Sequence, residues 1–209
     1  MEPIKILIYI HAFFGGLGLT SGIINIFKTK GGIKHKVIGR IFSYSMLTSS
    51  FISLVIARMS EHENLFLFLI GIFTIYMILS GNRALTLKSK TKADWIDKII
   101  SGTMLVTSIG MIVIGITGVI QKIDNSILYI FFGCVGTFMT CKDFHTFRIF
   151  TKKKNAWLIS HLGRMVGALI ASITAFLVAA LNIGTLSVWI LPTILGIGYI
   201  IYWNKKITN

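Results

Sequence analysis

Apolar runs of about twenty residues, each closed by a short polar connection, fill this chain from end to end. The hydrocarbon core of a bilayer is about 30 Å thick and takes ~20 residues of helix to cross. Lipid offers the backbone no hydrogen bonds, so runs of this length and composition are helical where they cross. They cover residues 4–27, 37–57, 64–83, 99–120, 126–144, 156–181 and 186–203. The pattern predicts an all-α, polytopic transmembrane bundle of seven helices, forming a single domain over residues 1–209. Composition agrees: only 13% of residues are charged and 54% are hydrophobic. A soluble domain, with about a quarter of its residues charged, covers its surface differently. The first run follows Met1-Glu2-Pro3-Ile4-Lys5, a poor basic leader, and no small-x-small cleavage site follows its core. It therefore reads as a span and not as a cleaved signal.

The formal net charge of +14 is not spread evenly. The first, third and fifth connections, with the helix ends beside them, carry Lys28, Lys30, Lys34, Lys36 and Arg40; Arg83, Lys88, Lys90, Lys92 and Lys98; and Lys142, Arg148, Lys152, Lys153, Lys154 and Arg164. The tail adds Lys205 and Lys206, whereas only Lys5, Arg58 and Lys122 fall on the other side. Cytoplasmic loops carry the excess of Lys and Arg, so the N-terminus is expected outside and the C-terminus in the cytoplasm of an inner (plasma) membrane. Trp95, Trp157 and Trp203 then fall near the cytoplasmic interface and Trp189 near the outer one. Clusters broken up by apolar spans do not suit a nucleic-acid backbone. They suit the bilayer itself, with anionic lipid headgroups at the cytoplasmic face.

Small residues mark the faces expected to pack, because they let helix backbones approach closely. His11, Gly15, Gly18, Gly22 and Asn25 share one face of the first span. Ser101, Met104, Ser108, Met111, Gly115 and Gly118 form a stripe on the fourth, and His161, Arg164, Ala168, Ala171, Ala175 and Ala179 one on the sixth. Gly15-Gly16-Leu17-Gly18 lies mid-span and reads as packing, not as a phosphate loop. Cys134 and Cys141 stand two helical turns apart, beyond disulfide reach, and are expected as buried small hydrophobes.

Ionisable groups at membrane depth are costly and default to functional candidates. Here they gather on the cytoplasmic side: His35 and Arg40, Asn82 and Arg83, Asp143 and His145, His161 and Arg164. His11 stands apart in the outer half. One expectation is a redox-cofactor site (b-type haem, a metal ion or a quinone), with His161, His35 and His145 as ligands and Arg40, Arg83 or Arg164 against acidic groups. The alternative is that the arginines snorkel to the interface and the histidines satisfy helix ends. Asp143 shares a face with Gly136 and Thr140 and is expected to pair with Arg40, Arg83 or Arg164, the last being nearest by topology; a proton-relay role is the other option. His145 lies about 200° round the helix from Asp143, so the two do not aim at one centre. Hydrolase, Walker, zinc-protease and dinucleotide signatures are lacking in the sequence.

His11-Ala12-Phe13-Phe14-Gly15, then Lys30-Gly31-Gly32-Ile33-Lys34-His35-Lys36-Val37-Ile38-Gly39-Arg40, and His161-Leu162-Gly163-Arg164-Met165 running to Thr174-Ala175-Phe176 together resemble an uncharacterised family of small bacterial predicted integral membrane proteins. That family has a first-helix histidine, a Lys-Gly-x-x-His-Arg-x-x-Gly loop and a His-x-x-Arg-Met sixth helix. The resemblance runs the length of the chain and implies a membrane fold without an assigned activity. Lys36 stands where the family has arginine, replacing a bidentate fork by a point charge. Three classes of function follow as expectations: cofactor binding near His161, transport or channelling of a small anion or lipid, and a non-catalytic scaffold. A bis-histidine haem needs two imidazoles at one depth, His145 with His161 or His35 with His161.

Overall fold

The computed structural model describes residues 2–181, 183 and 185–208, apart from the side chains of Pro3, Ala179 and Leu186. The described residues form helices and no strands: α1 Pro3–Ile26, α2 Ile33–Ile56, α3 Leu65–Ala84, α4 Trp95–Ile120, α5 Ser126–Ile149, α6 Ala156–Ala175 and α7 Leu186–Thr208. A 3₁₀ turn, Leu85–Ser89, follows α3, and a π-helical turn, Phe176–Ala180, ends α6. All 7 helices are long and apolar enough to cross a membrane. Four helix ends reach past the apolar runs into the flanking polar residues, whereas α6 stops at Ala175, six residues short of its run. α2 and α4 begin four residues before the runs at 37 and 99, and α5 and α7 end five residues after those at 144 and 203. Hydropathy stops at the first lysines, whereas the backbone keeps its i→i−4 bonds through these polar turns.

The chain divides into two compact units, Met1–Ile78 with Leu162–Asn209, and Leu79–His161. In the first, α1 lies antiparallel on α2 along the small-residue face that the spacing predicts. A Cβ on Gly15 would meet Ser49, one on Gly18 Met46 and one on Gly22 Phe42, while one on Gly39 would meet Asn25. Each step along α1 matches an equal step back along α2. Buried Ser43 donates to the Gly39 carbonyl and buried Ser21 to that of Gly18, so these hydroxyls are satisfied within their own helices. Gly71 of α3 approaches Leu54 and Ser53 of α2.

The alanine stripe of α6 does not run as expected. Arg164, Ala168 and Ser172 are buried and Ala171 half-buried, but Ala175 is exposed, and Ala179 lies outside the described side chains. Steps of four carry the buried face from Arg164 through Ala168 to Ser172, and the π turn then changes the register. Trp189 of α7 is buried edge-on against Phe66 of α3, with ring centroids 5.4 Å apart.

In the second unit α4 packs on α5. Ser101, Met104, Ser108, Met111, Gly115 and Gly118 are all buried, as the stripe predicts, and Asp97 extends it by one turn. Gly133 and Gly136 of α5 meet Ser108, and Gly115 and Gly118 of α4 meet Ser126. Cys134 and Cys141 are exposed, contrary to their expected burial. Gly133, Gly136, Thr140 and Asp143 make the packed face of α5, and both thiols lie on the opposite one with exposed Phe138.

Candidate functional site

The α3–α4 connection folds back through the 3₁₀ turn, so that the last turn of α3 lies beside the start of α4. Arg83, one residue before the end of α3, donates from Nε to Asp97 and from Nη2 to Asp94 Oδ2 at 2.9 Å. Lys90 also donates to Asp94. Asp94 caps α4, and Asp97 reaches back to accept the Asp94 backbone N–H at 2.9 Å. This capping box gives the positive end of the α4 dipole a carboxylate and fixes the Asp97 rotamer. Lys90 first, and then Arg83, hold the exposed Asp94 carboxyl below its ordinary value of 3.8.

One turn further along α4, Ser101 donates to Asp143 Oδ2 of α5 at 2.9 Å. Asp97 and Asp143 are 4% and 3% exposed, respectively. Both line one cavity of about 10 Å³, together with Arg83, Ser80, Ser101 and Ser160. That volume is on the scale of a single water. Next to the same end of the unit, Leu87, Phe150 and Ala156 pack with Phe147 and Trp157, and Phe147 also closes one side of the cavity. The result is a carboxylate pair with hydroxyls and one guanidinium around a water-sized space.

The other predicted residues are dispersed. His161 Nδ1 lies 2.8 Å from the Gly81 carbonyl. Only a ring N–H can meet a carbonyl, so Nδ1 carries the proton and Nε2 the lone pair of the neutral ring. His145 is exposed on the far face of α5 from buried Asp143, as the 200° offset requires. Arg164, in the first unit, is buried with its guanidinium 5.5 Å from the Tyr76 ring centroid, which is a packed cation and not a snorkelling one. Arg40 is exposed and His35 half-buried at the start of α2.

His11 is a structural pin. The Ser49 hydroxyl donates to the His11 carbonyl at 3.0 Å, and His11 Nδ1 lies 3.0 Å from the Ser49 carbonyl. With the single hydroxyl proton spent, Nδ1 is the donor, and α1 and α2 are tied at that level.

Asp94 and Asp97 belong to the cluster around Arg83 and were missed by the hydropathy reading. Two signals point to them: Asp97 stands four residues before Ser101 on the α4 stripe, and Asp94-x-x-Asp97 ahead of an apolar run has the spacing of a capping box. Among the described residues no group of three or more His, Cys, Asp or Glu is placed to hold a metal ion. No family model, curated protein or solved structure matches this chain.

Proposed function

We propose that this chain is a multi-pass inner-membrane protein, with its N-terminus outside and its C-terminus in the cytoplasm, that moves protons through Asp97 and Asp143. The positive-inside distribution of Lys and Arg supports the orientation, and the same clusters suit anionic lipid headgroups. The observation that carries the proton reading is the pair of almost fully buried carboxylates lining one water-sized cavity. Buried acids in membrane helices mark ion and proton pathways. Ser101 donates to Asp143 and its oxygen can accept in turn, so the hydroxyl and a cavity water suffice to pass a proton along. Arg83 supplies counter-charge to Asp97 and keeps the pair from being two bare anions.

A redox centre is the second reading, and the geometry of His161 favours it. Imidazoles that ligate metals commonly donate their other N–H to a carbonyl, as His161 does to Gly81. Haem fits less well. No histidine lines the carboxylate cavity, its volume is that of a water, and His145 in the same unit is exposed.

Purified protein in liposomes loaded with a pH-sensitive dye separates the two. An imposed proton gradient, with the potential clamped, is expected to collapse faster than in protein-free vesicles. Asp143→Asn returns the rate to that of the control, and Ser101→Ala slows it several-fold. Decay at the control rate with the unsubstituted protein overturns the proton reading. A Soret band that disappears in His161→Ala establishes the redox one.

A further inference from the structure

The first unit contains a second, larger cavity of quite different character. A groove of about 390 Å³ runs between α6 and α7, with Ile26 of α1 at one end. Leu169, Ile173 and Leu177 form one wall, and Leu191, Pro192 and Leu195 the other. Gly196 lets the two helices meet at its floor, since a Cβ there would collide with Ile170. Val166 and Leu177 are eleven residues apart on one wall. That is about 16 Å of helix rise, or roughly one leaflet of a ~30 Å core. The π turn at Phe176–Ala180 and the proline inside α7 both border it. These are the two breaks in regular helical bonding on the walls, and they give the groove its shape.

The end of the groove beside Ile26 and Tyr199 is positively charged and aromatic. Lys30 Nζ lies 5.8 Å from the Tyr199 ring centroid and 5.6 Å from that of Trp203, and Lys206 Nζ is 5.1 Å from the latter. Lys30 is anchored by donating to the carbonyls of Asn25 at 3.0 Å and Ile26 at 2.6 Å, the last turn of α1. Those bonds use two of its three N–H groups. The Tyr199 hydroxyl is buried at the head of the groove beside Trp203. Burial lowers the Lys30 ammonium from its ordinary 10.5, and a neighbouring anion would offset that cost.

We infer that this groove is a binding site for one acyl chain of an anionic glycerophospholipid, with its phosphate on Lys30 and Lys206. The chain lies against the apolar walls for the depth of one leaflet. The Tyr199 hydroxyl donates to an ester oxygen where chain meets headgroup. Charge complementarity selects the occupant: a zwitterionic lipid fills the walls equally well but cancels its phosphate with its own ammonium. The inference is independent of the proton site, which belongs to the other unit.

Delipidated protein in detergent, titrated with phosphatidylglycerol or with phosphatidylcholine of the same chains and followed by native mass spectrometry, tests this directly. The first phosphatidylglycerol adduct is expected to saturate at a concentration at least tenfold lower (~1.4 kcal/mol) than the first phosphatidylcholine adduct. Lys30→Ala with Lys206→Ala abolishes the preference while both lipids still bind. Ile173→Phe, which fills the groove, weakens both. Equal binding of the two lipids by the unsubstituted protein overturns the inference without needing any variant to fold. So does a preference that survives the double substitution, or a protein dimer formed in place of the lipid adduct.

Discussion

Asp97 does two things at once, accepting the Asp94 amide to start a helix and neutralising Arg83 from the preceding one. A reading that searches the apolar runs for charge begins its fourth run at residue 99 and passes over it, whereas Asp143 sits inside a run and stands out. Partner identity was less legible still. Arg83 was one of three arginines offered to Asp143, and the spacing held no sign that a 3₁₀ turn would bring Asp94 and Asp97 to it first. The exposed member of this network gives a pH prediction. The Asp94 carboxyl is depressed below 3.8 by Lys90 and Arg83, so its contribution is complete above that value and is lost as pH falls through the lower, folded one. Protection of the first-turn amides of α4 against hydrogen exchange, taken relative to the intrinsic rate at each pH, is expected to stay flat from neutral pH down to the ordinary carboxylate range and to fall below it. Asp94→Asn should exchange faster at neutral pH and show no acid step.

Helices were the most legible elements and their faces nearly so. The 3.6-residue period located the packed faces of α1 and α4 because both helices are regular along the contact. It failed along α6 because a π turn follows Ala175, and no residue type announces a π turn. Cys134 and Cys141 are exposed although cysteine is usually buried, because α5 packs through the opposite face of Gly133 and Gly136. Glycine substitutions separate packed faces from open ones. Gly136→Leu drives a side chain into Ser108 and Met104 and should cost about 1–3 kcal/mol. A Cβ at exposed Gly16 meets nothing within 4 Å, and Gly16→Leu should be neutral, or stabilising by up to about 1 kcal/mol through helix propensity. Detergent-phase unfolding of the two variants beside the parent reads the difference, and equal losses would contradict the assignment of faces.

At the scale of the molecule, span number was written in hydropathy, but the division into two units was not legible, because apolarity carries no information on which helix accompanies which. On the proposed orientation, a reporter active only outside the cytoplasm is silent when fused after Asn209 and active when inserted beside Glu61 or Asp124. An active fusion at Asn209 would reverse the orientation. The division itself bears on biosynthesis. Leu79–His161 is one unbroken stretch, whereas the other unit is split around it and needs Leu162–Asn209 before it is whole. Ribosomes add about 5–20 residues each second, so the earliest helices wait several seconds in the bilayer for α6 and α7 after the middle of the chain has its full complement. Throughout that interval Tyr76 of α3 lacks the Arg164 guanidinium that lies over its ring in the finished unit, and a nonsense mutation after His161 would strand the first third of the chain in that condition while sparing the middle.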